Sequence, residues 1–380
     1  MRILFLHSSS DLYGASKILL ITVKILKKYG HAPLVVLSEE GLLSLKLKKE
    51  QIEFRLIKLG IVRRKYFNFK GLINRFWTLW LAKNQLIRIC NEENIDLIYS
   101  NTAAVIVGAW VAKKCHLKHI YHIHEIIQSP SWFAFFIHKM IAKNADHVIA
   151  VSQAVKNNLA TVIPEHKISV IYNGLDYSSL ATDQILAEKL SLNPNHLIIG
   201  MIARVHPWKG QSYFIDLAAA LLQKKPTLTF IMVGDAYPGN EYLYNELDAK
   251  IDMLGLKRHF INLGYREDIT AILNTLDLFV LPSTAPDPFP TVILEAMACK
   301  KAVIATAQGG ALEMIEHQVS GIHIPLDNAQ KASEIISPYL SDEKLRKTMG
   351  QAAQQKVNTY FSLTAFEKKM LHLLTVIYEY

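Results

Sequence analysis

Pro282-Ser283-Thr284-Ala285-Pro286-Asp287-Pro288-Phe289-Pro290-Thr291-Val292-Ile293-Leu294-Glu295-Ala296-Met297-Ala298 is the stretch on which the reading of this chain turns. The apolar run 278–281 before it reads as a buried parallel strand, which breaks at prolines and restarts as a helix near Thr291. Asp287 then lies in the loop at the strand's carboxyl end. Glu295 follows roughly two turns later, at about 3.6 residues per turn. Between them stand the free N–H groups of a helix N-terminus, the backbone amides of Thr291 and Val292, a natural seat for phosphate. Carboxylates do not hold phosphate, but they accept hydrogen bonds from sugar hydroxyls. An anion seat flanked by hydroxyl acceptors describes a nucleotide-sugar site better than a simple nucleoside triphosphate site.

Outward from this stretch, short apolar runs alternate with amphipathic segments almost from end to end. Strands are predicted at Ile3, Leu34, Phe54, Leu97, Ile120 and Val148, with a short one at Ile168, and helices between them, for example over 15–29 and 103–114. A polar stretch, 177–195, reads as a linker with a short helix. The pattern restarts over 197–203 and continues with strands over 228–233, 260–263, 278–281, 302–305 and 321–325, and an amphipathic helix ends the chain. This alternation predicts an α/β protein of two facing, doubly wound, mainly parallel Rossmann-like halves. At 380 residues the chain exceeds what one core usually supports. The expected boundaries are 1–176, 177–360 and a final helix over 361–380. Ligands of such sheets bind outside the carboxyl ends of the strands.

Composition narrows the classes. Apolar residues make up 51% of the chain, enough for large buried sheets. No uncharged apolar run reaches the length of about 18 residues that a membrane span needs, and the N-terminus has no signal-peptide pattern. Cys90, Cys115 and Cys299 lie far apart with no metal spacing, as expected of buried thiols in a reducing, cytoplasmic compartment. Residues 1–175 carry a charge balance of +13 and the remainder −4, so the first half is expected to face something anionic. The basic-aromatic 63–88 segment, with Arg63-Arg64-Lys65-Tyr66-Phe67-Asn68-Phe69-Lys70, Arg75-Phe76-Trp77 and Leu79-Trp80, suits peripheral contact with an anionic inner membrane face. The bland reading is a solubilising face over a buried aromatic stripe. No nucleic-acid-binding motif accompanies the charge.

Several positions share the strand-end location. Arg204 and Lys209 follow a strand five residues apart, with Pro207 and Trp208 shaping the turn. Two cations there can neutralise a leaving diphosphate without a metal, although either alone reads as a surface charge. His124 follows the strand at 120–123, with His122 on the same side by alternation and Glu125 beside it. Metal binding by these histidines is not expected, since no third ligand has suitable spacing. Gly14 opens a helix after the first strand, where a residue without Cβ lets the backbone approach a ligand closely. Tyr265 and Arg266 follow another strand end.

The Asp287-to-Glu295 segment, an acidic residue, seven residues, then Glu followed by Ala-Met-Ala, resembles the signature of retaining family-4 glycosyltransferases. The resemblance extends through Asp11-Leu12-Tyr13-Gly14-Ala15-Ser16, Tyr121-His122-Ile123-His124-Glu125 and the stretch Ala145 to Ser152. It goes on through Asn173-Gly174, Gly200 to Arg204 with Lys209-Gly210, Gly234-Asp235 and Gln308-Gly309-Gly310. It implies the GT-B architecture, with an acceptor-binding first domain, a nucleotide-sugar-binding second domain and a last helix that crosses back to the first. It also implies transfer of a hexose-type sugar from a nucleotide diphosphate donor, UDP favoured and GDP possible, to a hydroxyl of a glycan or lipid-linked acceptor, with retention and no cofactor or metal. Such an activity fits envelope or capsule polysaccharide synthesis.

By that resemblance Arg204 and Lys209 hold the diphosphate, and Glu295 binds the ribose hydroxyls. Asp287 contacts the donor sugar, His124 lies near its hydroxyls, and Tyr265 and Arg266 hold the base. The chain departs from the family pattern at Asp287, where Glu is commoner, at Pro290, where many members have Gly, and at Gly14, where many have two glycines. A sugar-nucleotide epimerase, a sugar phosphorylase and a degenerate partner- or membrane-binding subunit are the rival readings.

Overall fold

The computed structural model describes residues 1–61, 69–180, 186, 190 and 192–379. Two compact units divide it, Met1–Gly174 with Phe366–Tyr380, and Leu175–Ala365. The first sheet comprises β1 (Arg2–Leu6), β2 (Ala32–Leu37), β3 (Glu53–Leu56), β4 (Leu97–Ser100), β5 (Lys118–Ile123), β6 (His147–Ala150) and β7 (Ile168–Val170). Their order is β3-β2-β1-β4-β5-β6-β7 and every pairing is parallel, with Leu4 beside both Leu34 and Ile98. Continuous apolar runs such as Ile3, Leu4, Phe5 and Leu6 suit strands covered on both faces, and these four side chains are fully buried.

The second sheet comprises β8 (Leu197–Ile202), β9 (Leu228–Val233), β10 (Phe260–Asn262), β11 (Leu278–Leu281), β12 (Ala302–Thr306) and β13 (Ile322–Ile324), in the order β10-β9-β8-β11-β12-β13, again all parallel. The predicted α/β class and each predicted strand are therefore present. Strand order reverses between β1 and β4 in one sheet and between β8 and β11 in the other. Ligands of open α/β sheets bind beyond the strands' carboxyl ends at such a switch point.

Helix positions follow the 3.6-residue period. The Gly14–Lys28 helix buries Ile18, Leu19, Thr22, Val23, Ile25 and Leu26, and closes on Lys27 and Lys28, whose charge suits a helix carboxyl end. The helix expected from residue 103 instead begins at Val107. The hydroxyl of Thr102 donates to Glu125 and accepts the Ala104 N–H at 3.1 Å, so local side chains satisfy backbone that would otherwise enter the helix.

The last helix, Leu363–Glu379, starts after Leu175 and Ser362 pair in a parallel bridge. From Phe366 it packs with the first unit, where Glu367 accepts from Lys28 at 3.0 Å and Lys118 Nζ donates to the Ile377 carbonyl at 2.6 Å. Part of the predicted 177–195 linker and of the 63–88 segment lies outside the described residues.

Candidate functional site

In the second unit the loops at the strand ends are bonded to one another. The loop after β8 meets the loop after β11 through the Thr284 N–H, which donates to the Trp208 carbonyl at 2.8 Å. Gly210 sits at φ +87°, and a Cβ there would fall 1.9 Å from the Pro282 carbonyl oxygen, so this approach requires glycine. The loop after β12 joins on the other side: Gly310 N–H donates to the Asp287 carbonyl at 2.8 Å, and Thr306 and Gln308 both donate to the Ser283 carbonyl at 2.6 Å. Toward the opposite edge, Val205 N–H reaches the Asp235 carbonyl and Gly234 N–H the Gly264 carbonyl, each at 2.8 Å.

On this framework Lys209 Nζ lies 2.5 Å from Asp287 Oδ2, with both side chains largely buried. Lys209 also lies 4.2 Å over the Trp208 ring. The Arg204 guanidinium stacks 3.6 Å over Tyr237, an electrostatically favourable cation–aromatic contact. His206 feels the charge of both cations. Burial lowers its pKa, and the charges of Lys209 and then Arg204 lower it further, so both act on one imidazole.

Pro290 precedes the Thr291–Ala298 helix as its cap rather than forming its first turn, so it shapes entry to the helix while Thr291 and Val292 supply the first amides. Within that helix Thr291, Val292 and Glu295 are the positions that are not buried, and their spacing puts them on one face. Ile293, Leu294, Ala296, Met297 and Ala298 fill the core. Glu295 charge is felt by Tyr177, whose pKa is raised chiefly by burial and then by this carboxylate. The Tyr177 hydroxyl donates to the Phe361 carbonyl at 2.8 Å.

Arg204, Lys209, Asp287, Thr291, Val292 and Glu295 thus belong to the loops and helix at one switch point. Tyr265 and Arg266 stand two strands away, after β10. Tyr265 is half exposed, and Arg266 is bound to Asp268 through Nε at 2.8 Å and Nη2 at 2.5 Å.

Gly14 and His124 lie in the first unit. Gly14 is the first residue of its helix, and a Cβ there would meet nothing within 4 Å, so packing alone does not demand glycine. His124 follows β5 directly, and its ring centre is 4.1 Å from that of His122. Its Nε2 lies 3.3 Å from Asn101 Oδ1, and its backbone N–H donates to Glu125 at 3.1 Å. Burial holds its pKa well below the usual range, with His122 and His7 adding to the effect. The ring is therefore neutral, suited to hydrogen bonding rather than to carrying charge. Sequence reasoning passed over Asn101, His7, His206 and Tyr237. Asn101 carried a signal, since it follows the strand beside the first switch point.

A parallel α/β protein of two units, with cations, a carboxylate and open helix amides at a switch point, is of the nucleotide-handling Rossmann-like kind. Family models narrow this. Residues 14–179 match "Glycosyltransferase Family 4" and residues 183–356 match "Glycosyl transferases group 1". The chain belongs to the family-4 glycosyltransferases of the GT-B fold, and it is a glycosyltransferase.

It superposes on the crystal structure of Anabaena HepE in complex with UDP and glucose with a TM-score of 0.84 and 30% identity, covering 99% of this chain and 100% of that one. It is 28% identical over 296 residues, 72% of this chain and 76% of the relative, to the Campylobacter jejuni N,N'-diacetylbacillosaminyl-diphospho-undecaprenol alpha-1,3-N-acetylgalactosaminyltransferase. It is 26% identical over 301 residues, 73% and 74% of the two chains, to the Escherichia coli UDP-Gal:alpha-D-GlcNAc-diphosphoundecaprenol alpha-1,3-galactosyltransferase. No helix among the described residues is long and apolar enough to cross a membrane.

Proposed function

We propose that this protein transfers a hexose-type sugar from a UDP-sugar to a hydroxyl of a lipid-linked glycan, with retention of anomeric configuration, in the assembly of a cell-envelope polysaccharide. The Lys209–Asp287 pair beside the Thr291–Ala298 helix carries the reading. A cation, a carboxylate and unspent amides gathered at one strand end match the two parts of a sugar diphosphate, its phosphates and its hydroxyls. UDP in the solved relative and undecaprenyl diphosphate in the names of two others support the donor and acceptor classes.

Arg204 and Lys209 would hold the diphosphate and stabilise it as it leaves, the part that a divalent metal plays elsewhere. Glu295 would accept the ribose hydroxyls, Asp287 and His124 would contact the sugar, and Tyr265 and Arg266 would lie against the base. In the front-side course proposed here, the departing phosphate oxygen takes the acceptor hydroxyl's proton as the new glycosidic bond forms on the same face. The first unit would receive the acceptor.

Membrane contact is part of the proposal. Phe76, Trp77, Trp80 and Leu81 on the Phe69–Glu92 helix are exposed, while Leu79, Ala82 and Leu86 are buried. Phe76, Trp77 and Trp80 are therefore not part of the buried stripe of the bland reading. Exposed rings among basic residues fit the interface of an anionic bilayer.

A thermal-shift panel of nucleotide sugars tests the donor first. A true donor at 100 times its dissociation constant adds about 2.7 kcal/mol of stability. Incubation of the responding sugar nucleotide with polyprenyl-diphosphate sugars then tests transfer, and NMR of the product anomer tests retention. Binding without turnover on any acceptor would defeat the proposal.

A further inference from the structure

The carboxyl ends of three neighbouring strands in the first unit carry polar residues that bond in a row: His7 after β1, Asn101 after β4 and His124 after β5. His7 and Asn101 are buried, and so is Ser16, which extends the row toward Asp11. Hydrogen-bond chemistry fixes the direction of every link. Asn101 Nδ2 lies 3.1 Å from the Ala15 carbonyl, which can only accept, so the amide NH2 is on that side. Asn101 Oδ1 therefore faces His124 Nε2 at 3.3 Å, and an amide oxygen can only accept.

The other end gives the same sense. Asp11 Oδ1 accepts the Ser16 hydroxyl at 3.0 Å, which leaves the Ser16 oxygen to accept from His7 Nε2 at 2.9 Å. His7 Nδ1 is then a lone pair, and it receives the second Asn101 N–H at 3.3 Å. Burial lowers the His7 pKa to about 4, which keeps that lone pair available at neutral pH. No two donors and no two acceptors meet anywhere along the row. The opposite His124 tautomer would set two lone pairs against each other in a part-buried site, where an unmade hydrogen bond costs most.

We propose that Asp11, Ser16, His7 and Asn101 are positioning residues that hold His124 as the neutral tautomer protonated at Nε2, so that the atom it offers a substrate is the lone pair of Nδ1. Nδ1 has no hydrogen-bond partner among the described residues. A lone pair receives a donor such as a sugar hydroxyl or an acetamido N–H, and repels a carboxylate. The structure thus predicts a neutral sugar, not a uronic acid, at this contact. This last step rests on the proposed role of His124 in sugar binding, whereas the tautomer does not.

Long-range 1H–15N correlation spectra of histidine-labelled protein, without substrate, read the tautomer directly, with the His124 signals assigned by their loss in His124→Gln. The expected result is a single Nε2–H form in the wild type. Asn101→Leu, which removes the acceptor, gives a mixture and lowers kcat at least tenfold while UDP affinity by calorimetry stays within twofold. An Nδ1–H form in the wild type overturns the proposal even if no variant folds. Unchanged tautomer and kcat in Asn101→Leu overturns it as well. Failure of sugar transfer with every donor would count against the proposed function and leave the tautomer result standing.

Discussion

Lys209 Nζ and Asp287 Oδ2 lie 2.5 Å apart, joining the loop after β8 to the loop after β11 where strand order in the second sheet reverses. The carboxylate thus holds the ammonium at the switch point. Under the proposed mechanism a donor diphosphate shares this cation with Asp287, and Lys209 follows the developing negative charge. Lys209→Ala is expected to lower kcat by about 10²–10³-fold, as loss of one preorganised electrostatic group does. Initial rates of UDP release measure it, and a rate within threefold of wild type would remove Lys209 from the proposed machinery.

Glu295 stands on the less buried face of the Thr291–Ala298 helix with Thr291 and Val292. If its carboxylate accepts the ribose hydroxyls, Glu295→Ala should weaken UDP by about 1.5–3 kcal/mol, the range for hydrogen bonds to a charged group. Calorimetry with UDP and with uracil base tests this, because base binding alone should be indifferent to the change. Equal UDP affinities in the two proteins would count against the assignment.

Gly210 is a structural position beside these groups. A side chain there meets the Pro282 carbonyl at 1.9 Å and needs a left-handed backbone. Gly210→Ala should destabilise the protein by about 1–3 kcal/mol. Thermal denaturation is the measurement, and an unshifted Tm would mean that the two loops separate without cost.

Acid should weaken the first unit. Burial lowers His7 to about 4 and His119 and His122 to about 3, so these rings stay neutral in the folded state. Unfolded, each binds a proton below about pH 6.5, and protons held only by the unfolded chain favour unfolding. Stability is thus full above about pH 6.5 and declines as pH falls toward 4, by about 2 kcal/mol for each histidine at pH 5. Glu125, raised chiefly by burial, works in the opposite sense but is one carboxyl against several buried histidines. Urea midpoints at pH 7.5 and 5.0 test the balance, which is refuted if the midpoints coincide.

For the membrane face, replacing Phe76, Trp77 and Trp80 together by Ser should abolish co-sedimentation with anionic vesicles. Transfer to a detergent-solubilised acceptor should persist. Binding by the wild type should also fall as salt rises, since exposed charges are screened within about 10 Å at 0.1 M. Vesicle binding that survives the triple change would place the contact elsewhere.

The two-sheet architecture was legible because buried parallel strands have a local signature, short unbroken apolar runs such as Ile3 to Leu6 and Leu278 to Leu281. Arg204, Lys209, Asp287 and His124 were legible for the same reason, since each follows such a run. Less legible was what they bind in the folded chain. Nothing in local spacing says that Asp287, 78 positions from Lys209, is its partner. Nor does spacing reveal that Tyr237 lies under Arg204. The start of the helix at Val107 was misread because a carboxylate 23 positions away, at Glu125, competes for the turn before it.

By itself, then, the sequence determined which segments are strands, which residues stand at their carboxyl ends, and so which chemistry is available to the site. Periodicity and burial are set by neighbours along the chain, and they survive without coordinates. The tertiary structure alone decided strand order, and with it the two switch points. It also decided the directed row from Asp11 to His124, because hydrogen-bond polarity depends on which side chains meet across strands distant in the chain.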